Sequence, residues 1–211
     1  PAAGSQAQAQ ALPLASASDP ALLKLRQDYE EQIRKGEQRQ ALLILQDMEK
    51  SAPKSQIYLE TNSDYQTTAR DWQAAASASK ACVTAFPQSR LCYRNWATAE
   101  LSEGSTEEQA TAVDGCLKLE PNDPSCRNML GMVQMNGGDY PSAIATYERL
   151  IRENGSFGVR FNDDHLEWQL GLALEGAGRR KEAIDHLENA CRRNMNQACR
   201  KIEELSAEGL E

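Results

Sequence analysis

ACVTAFPQSRLCYRNWA (residues 81–97) and GCLKLEPNDPSCRNMLG (residues 115–131) carry one local design written twice. Cys82 and Cys92 bracket Pro87; one interval later, Cys116 and Cys126 bracket Pro121 in the same way. Three matches at a single offset turn a question about thiols into a question about repeats. Pro53 extends the ruler by the same interval, and each of the three prolines follows a segment with helical apolar spacing and stops it. A period of roughly 34 residues signals units that bury their apolar faces by stacking on one another.

With the proline as the thirty-second residue of each unit, the chain divides into 22–55, 56–89, 90–123 and 124–157. After the segment GVRFND (158–163), a fifth unit covers 164–197. Small residues then fall at the eighth place in Ser63, Ala97, Gly131 and Gly171, and alanine at the twentieth in Ala41, Ala75, Ala143 and Ala183. The twenty-seventh place holds Met48, Cys82, Cys116, Leu150 and Ala190. Leu166, Leu170 and Leu174 form one apolar stripe at helical spacing. Asp19-Pro20 reads as a helix start, with the aspartate as cap and the proline in the first turn.

This pattern resembles the tetratricopeptide repeat family, in which small residues mark the eighth, twentieth and twenty-seventh places and proline the thirty-second. The likeness is fullest in LGMVQMNGGDYPSAIATYERLI (130–151) and LGLALEGAGRRKEAIDHLENA (170–190). Among the departures from it are Tyr29 at the eighth place of the first unit, Gln109 at the twentieth of the third and Met195 at the proline place of the fifth. The resemblance implies an all-α solenoid of antiparallel helix pairs over residues 20–211, about five units plus a capping helix at 198–211. That last helix, ACRKIEELSAEGLE, would cover the open end of the stack with its apolar side. Residues 1–19, uncharged until Asp19 and rich in Ala, Gln, Ser and Pro, read as a flexible linker or tail.

In a stack of that kind, the twenty-seventh place of one unit and the third place of the next face each other across the turn. The resemblance therefore implies the pairing Cys82–Cys92 and Cys116–Cys126, together with Cys191–Cys199, which sit one residue off each of those places, out of 15 possible for six cysteines. Free buried thiols and metal or redox use are the alternatives. The spacings lack the C-x-x-C proximity that zinc sites and catalytic dithiols use. Structural disulfides persist in oxidising compartments, which points to the periplasm, the outer membrane surface or the extracellular space.

Other chemistry is sparse. The 31 acidic against 23 basic residues, a net charge of -8, argue against nucleic acid or an anionic membrane as the main partner. The longest apolar run, ALLIL at 41–45, is far short of the roughly 20 residues a transmembrane helix needs. Of the two histidines, His165 follows Asn162, Asp163 and Asp164 in a sequence with the residue types of a metal site; the simpler reading is that one aspartate caps a helix and His165 is exposed. Gly137-Gly138 fits a turn between helices, since no Lys-Ser/Thr follows as in a phosphate loop. Neither catalytic residues nor a metal, cofactor or small-molecule substrate is expected.

In the family, the first helix of each unit lines a concave groove. Carried onto this chain, that groove presents Arg26, Glu60, Asp64, Arg94, Thr98, Asn128, Met132, Met135 and Trp168 to a protein or peptide partner. Met132 and Trp168 read equally well as apolar anchors or as packing against neighbouring helices. The Lys, Asn and Arg clamp of chaperone adaptors is missing. The expected function is a non-enzymatic interaction scaffold in a bacterial envelope assembly, with membrane contact only through an upstream anchor such as that of a lipoprotein. A sensor or docking domain of a larger enzyme, for example a transmembrane kinase, and a self-associating structural module are the competing expectations. The GVRFND segment is expected to be either a binding loop or a spacer.

Overall fold

The computed structural model describes residues 19–154 and 163–208. The expected linker up to residue 18, residues 158–162 of the GVRFND segment and residues 209–211 lie outside the described residues.

Eleven helices and no strand occur among the described residues. They are α1 (Pro20–Lys35), α2 (Gln38–Ser51), α3 (Gln56–Ala69), α4 (Trp72–Ala85), α5 (Arg90–Glu103), α6 (Thr106–Leu119), α7 (Pro124–Asn136), α8 (Tyr140–Glu153), α9 (Asp163–Gly176), α10 (Arg180–Arg192) and α11 (Asn196–Glu208). Each helix packs on the next, and α1, α3, α5 and α7 also touch in succession, as the first helices of stacked pairs must. The result is an all-α solenoid. Four second helices begin at Gln38, Trp72, Thr106 and Tyr140, evenly spaced by the interval of the prolines. The next begins at Arg180, late by the length of GVRFND.

The starts and stops of these helices are chemically periodic. Ser55, Ser89 and Asp123 cap α3, α5 and α7 by accepting from the backbone N–H of Tyr58, Cys92 and Cys126. Asp71, Ser105 and Asp139 do the same for α4, α6 and α8. Such caps satisfy donors that the helix itself cannot, for about 1 kcal/mol each. Asp19 accepts from Ala21 N–H and Pro20 sits in the first turn of α1. Within the pairs, the turn passes through a left-handed residue at Gly36, Gly138 and Gly178, with φ of 76°, 76° and 74°. Arg70 takes the same conformation without glycine, at φ 59°.

The core is a series of clusters along the stack. Leu22, Leu45, Met48, Ile57 and Tyr58 form one; Ala97, Ala112, Val113 and Val133 the next. Tyr147, Leu150, Leu166, Leu170 and Leu174 belong to a third, and Leu187, Ala190, Ala198 and Leu205 close the far end. The eighth place of a unit meets the twenty-fourth, and their sizes trade off. A Cβ on Gly131 would lie 2.5 Å from the Tyr147 ring, and one on Gly171 would lie 2.8 Å from Leu187. Ser63 and Ser79 meet through a buried hydroxyl contact of 2.7 Å, and Ala97 and Val113 share one cluster. In the first unit those places are Tyr29 and Leu45, both buried.

The three bridges are Cys82–Cys92, Cys116–Cys126 and Cys191–Cys199. Each ties the second helix of a pair to the helix that follows it: α4 to α5, α6 to α7, and α10 to α11.

Two local expectations are corrected. Asp163 and Asp164 do not precede α9 as caps; they form its first turn, where negative charge meets the helix N-terminus favourably. His165 is half-buried rather than exposed, because its place in the first turn of α9 sets its Nε2 3.5 Å from Nε2 of the buried Gln169.

Candidate functional site

The residues of the expected groove fall into three groups. Arg26, Glu60 and Asp64 are joined at the α1–α3 contact. Arg26 Nη1 donates to Glu60 Oε2 at 2.8 Å, and its Nε reaches Glu30 at 3.3 Å on its own helix. The other Glu60 oxygen accepts from Gln56 Nε2 at 2.8 Å and from Ser89 Oγ at 2.7 Å, so one carboxylate links α1, α3 and the turn before α5. Asp64 accepts from the Tyr29 hydroxyl at 3.0 Å.

The two carboxylates respond oppositely to burial. Burial disfavours charge on Glu60, but hydrogen bonds from Gln56, Arg26 and Ser89 outweigh it and hold the carboxyl below its ordinary value of 4.5. For Asp64 burial prevails: the carboxyl is pushed up, and the Tyr29 hydrogen bond with the nearby Arg26 and Arg94 charges offsets only part of it. Replacing Glu60 by alanine takes this acceptor from Gln56 and Ser89 and leaves Arg26 with Glu30 alone, and we expect a loss of about 2 kcal/mol at neutral pH. The sign with pH follows from the depressed value. The stabilisation is present above 4.5 and is lost as pH falls through the lower folded value. Urea titrations of the wild type and Glu60→Ala, compared between pH 7 and pH 3, would show the gap closing; a constant gap would refute this account.

The second group lies further along the stack. Arg94 on α5 is exposed, and the half-buried Thr98 donates its hydroxyl to the Arg94 carbonyl at 2.9 Å. On α7, Asn128 Nδ2 approaches Met132 Sδ at 4.0 Å, while Asn128 Oδ1 is buried without a hydrogen-bond partner. An acceptor left in that condition costs free energy that a donor from elsewhere would recover. The third group is structural in its contacts. Met135 packs against the cluster around Tyr147 and Leu170, and Trp168 against the one around Leu187 and Leu205.

A further polar centre escapes the reading of the sequence. Glu100, 3% exposed, lies beneath a cavity of about 400 Å³ whose walls include Trp72, Ser77, Lys80, Glu103 and Glu108. Lys80 Nζ stands 3.1 Å from Glu100 and 2.6 Å from Glu108, and 5.5 Å from the centroid of Trp96. The Trp96 indole N–H donates to Glu100 at 2.9 Å. Ammonium and indole together compensate the buried carboxylate. The signal available in the sequence was positional: the eleventh place holds Gln32, Gln66 and Gln134 in neighbouring units and a charge only at Glu100.

Stacked helix pairs of roughly 34 residues, capped and proline-stopped at fixed places, define the tetratricopeptide-repeat fold. A family profile described as Tetratricopeptide repeat matches residues 129–155. Among solved structures, the fold is similar to MamA from Desulfovibrio magneticus RS-1, with 13% identity, a TM-score of 0.70, and coverage of 86% of this chain and 99% of that one. TTC0263, a thermophilic TPR protein of Thermus thermophilus, is 13% identical with a TM-score of 0.63, over 88% of this chain and 99% of its own. YrrB, a TPR protein with an unusual peptide-binding site, is 11% identical with a TM-score of 0.68, over 86% and 92%. No curated protein sequence matches the chain.

Proposed function

We propose that this chain is a protein-interaction scaffold that holds an extended segment of a partner along the first helices of its middle units, α3, α5 and α7. The observation that carries this is the strip formed by Asp64, Thr98 and Met132 beside Glu60, Arg94 and Asn128, each series advancing by one repeat per residue. Within that strip Arg94 is exposed and Asn128 has an unmatched acceptor. Glu60 is already engaged by three donors, so it stiffens the strip, and recognition falls to Arg94, Thr98, Asn128 and Met132. A repeated, stiff surface of this kind suits a peptide, because little ordering entropy is lost by the scaffold on binding. The peptide-binding property of YrrB agrees with the reading. Three disulfides support residence in an oxidising compartment, and the reading extends to an envelope assembly there. No helix among the described residues is long and apolar enough to cross a membrane.

The test is cross-linking of the native envelope fraction to identify the partner, followed by titration of that partner against Arg94→Glu combined with Met132→Ala. Two central contacts at one interface make the expected loss about tenfold or more in affinity, with helicity unchanged. Undiminished affinity would remove the site from this strip.

A further inference from the structure

The three disulfides differ in setting. Cys82, Cys92 and Cys126 are 0% exposed and Cys116 is 3% exposed, whereas Cys191 and Cys199 are both partly exposed. The surrounding charge differs too. Cys191 is followed by Arg192 and Arg193, and Cys199 by Arg200 and Lys201, while none of the other four cysteines is followed by two cations. Cations beside a cysteine stabilise its thiolate, so they speed its departure when the bond is attacked, and they draw in an anionic thiol. Around these four cations lie Asp163, which pairs with Arg193 at 2.7 Å, and Glu175 and Glu204, which stand 2.7 and 3.6 Å from Lys201. Arg192 is hydrogen-bonded to the neutral Asn189, and Arg200 is exposed.

The bridge also sits at a mechanically special place. It joins α10 to α11, and α11 is the helix that covers Leu187 and Ala190 and meets Trp168 through Ala198, Ile202 and Leu205. One ion pair, Lys201 to Glu175, adds a polar tie from α11 to α9.

We propose that Cys191–Cys199 is a thiol-exchange site that latches α11, opened by a dithiol reductant. A thiolate of the reductant attacks one sulfur, the S–S bond breaks, a mixed disulfide forms and the other cysteine leaves as a thiolate. The second thiol of the reductant then attacks the mixed disulfide, frees the second cysteine and closes its own disulfide. The two thiol protons of the reductant end on Cys191 and Cys199, so the bridge is reduced by two electrons and the reductant is oxidised by two. Opening the latch loosens α11 and uncovers the apolar face of α10. The buried bridges, out of reach, keep α4–α7 closed meanwhile.

Native protein treated with limiting dithiothreitol, quenched with iodoacetamide at intervals and mapped by peptide mass spectrometry reads the order of opening. Cys191 and Cys199 are expected to alkylate about tenfold faster than the other four, since reduction of those requires local opening. Equal or faster labelling of Cys82–Cys92 or Cys116–Cys126 overturns the proposal. Hydrogen exchange on the partly reduced protein reads the latch itself: amides of residues 196–208 should lose protection on the order of tenfold or more while α4–α7 hold theirs. Unchanged protection in α11 overturns the latch.

Discussion

Replacing Cys82, Cys92, Cys116 and Cys126 together by alanine lowers the unfolding free energy by about 5 kcal/mol. Each bridge closes a loop with a sequence separation of 10, worth roughly 2.5–3 kcal/mol in the chain-entropy account. The two bridges close separate, non-overlapping loops of the chain, so in the chain-entropy account their contributions add. Alanine is the right replacement because the sites are sealed; serine would add an unsatisfied hydroxyl and exaggerate the loss. In a solenoid each unit is held mainly by its neighbours, so loosening two joints should also broaden the guanidinium transition or split it. A loss under about 1 kcal/mol in a single sharp transition would mean that packing alone sets these joints.

The fold was legible because a repeat writes the same constraint several times. Prolines at 53, 87 and 121 mark helix ends, and the helix starts in the structure keep the same interval. The departures from the pattern have local reasons. Gln109 stands at an alanine place because its side chain donates to the carbonyls of Glu100 and Gly104, both at 3.2 Å, and accepts from Asn136 at 3.0 Å. Tyr29 fits an eighth place because its hydroxyl reaches Asp64. Met195, in place of the fifth proline, packs into the cluster beneath α11.

The site was less legible, for a definite reason. A place number tells which face of a helix a residue occupies, but not whether a residue one repeat away consumes it. Arg26 and Glu60, one repeat apart, bind each other and leave little for a partner. Arg94 and Asn128 hold the same place in the next two units without such a mutual pair, the one being exposed and the other carrying an unmatched oxygen. Lys80 and Glu100 illustrate the converse. Their pairing crosses from α4 to α5 at a separation that no repeat interval suggests, so only the packed structure reveals it.

Tyr147→Ala removes a ring that is 0% exposed, and we expect a loss of about 3–5 kcal/mol from lost burial and the cavity left behind. Gly131→Val fails for the opposite reason. The helix would gain only about 0.3–0.5 kcal/mol, since valine is itself a weak helix former, but a Cβ there lies 2.5 Å from Cζ of Tyr147, and a sealed ring has nowhere to go. Overpacking of this sort costs about 1–3 kcal/mol, and the two further methyl groups of valine put it at the upper end. The double substitution decides whether the small eighth residue exists to seat the large twenty-fourth. With the ring gone, valine occupies part of the space that Tyr147 filled, so the double variant should be more stable than the sum of the two losses predicts, by about 1–3 kcal/mol. Denaturant titration of the four proteins in a cycle measures that coupling directly. Strict additivity would show that Gly131 is small for some reason unrelated to Tyr147, and the size trade-off along the stack would lose its physical basis.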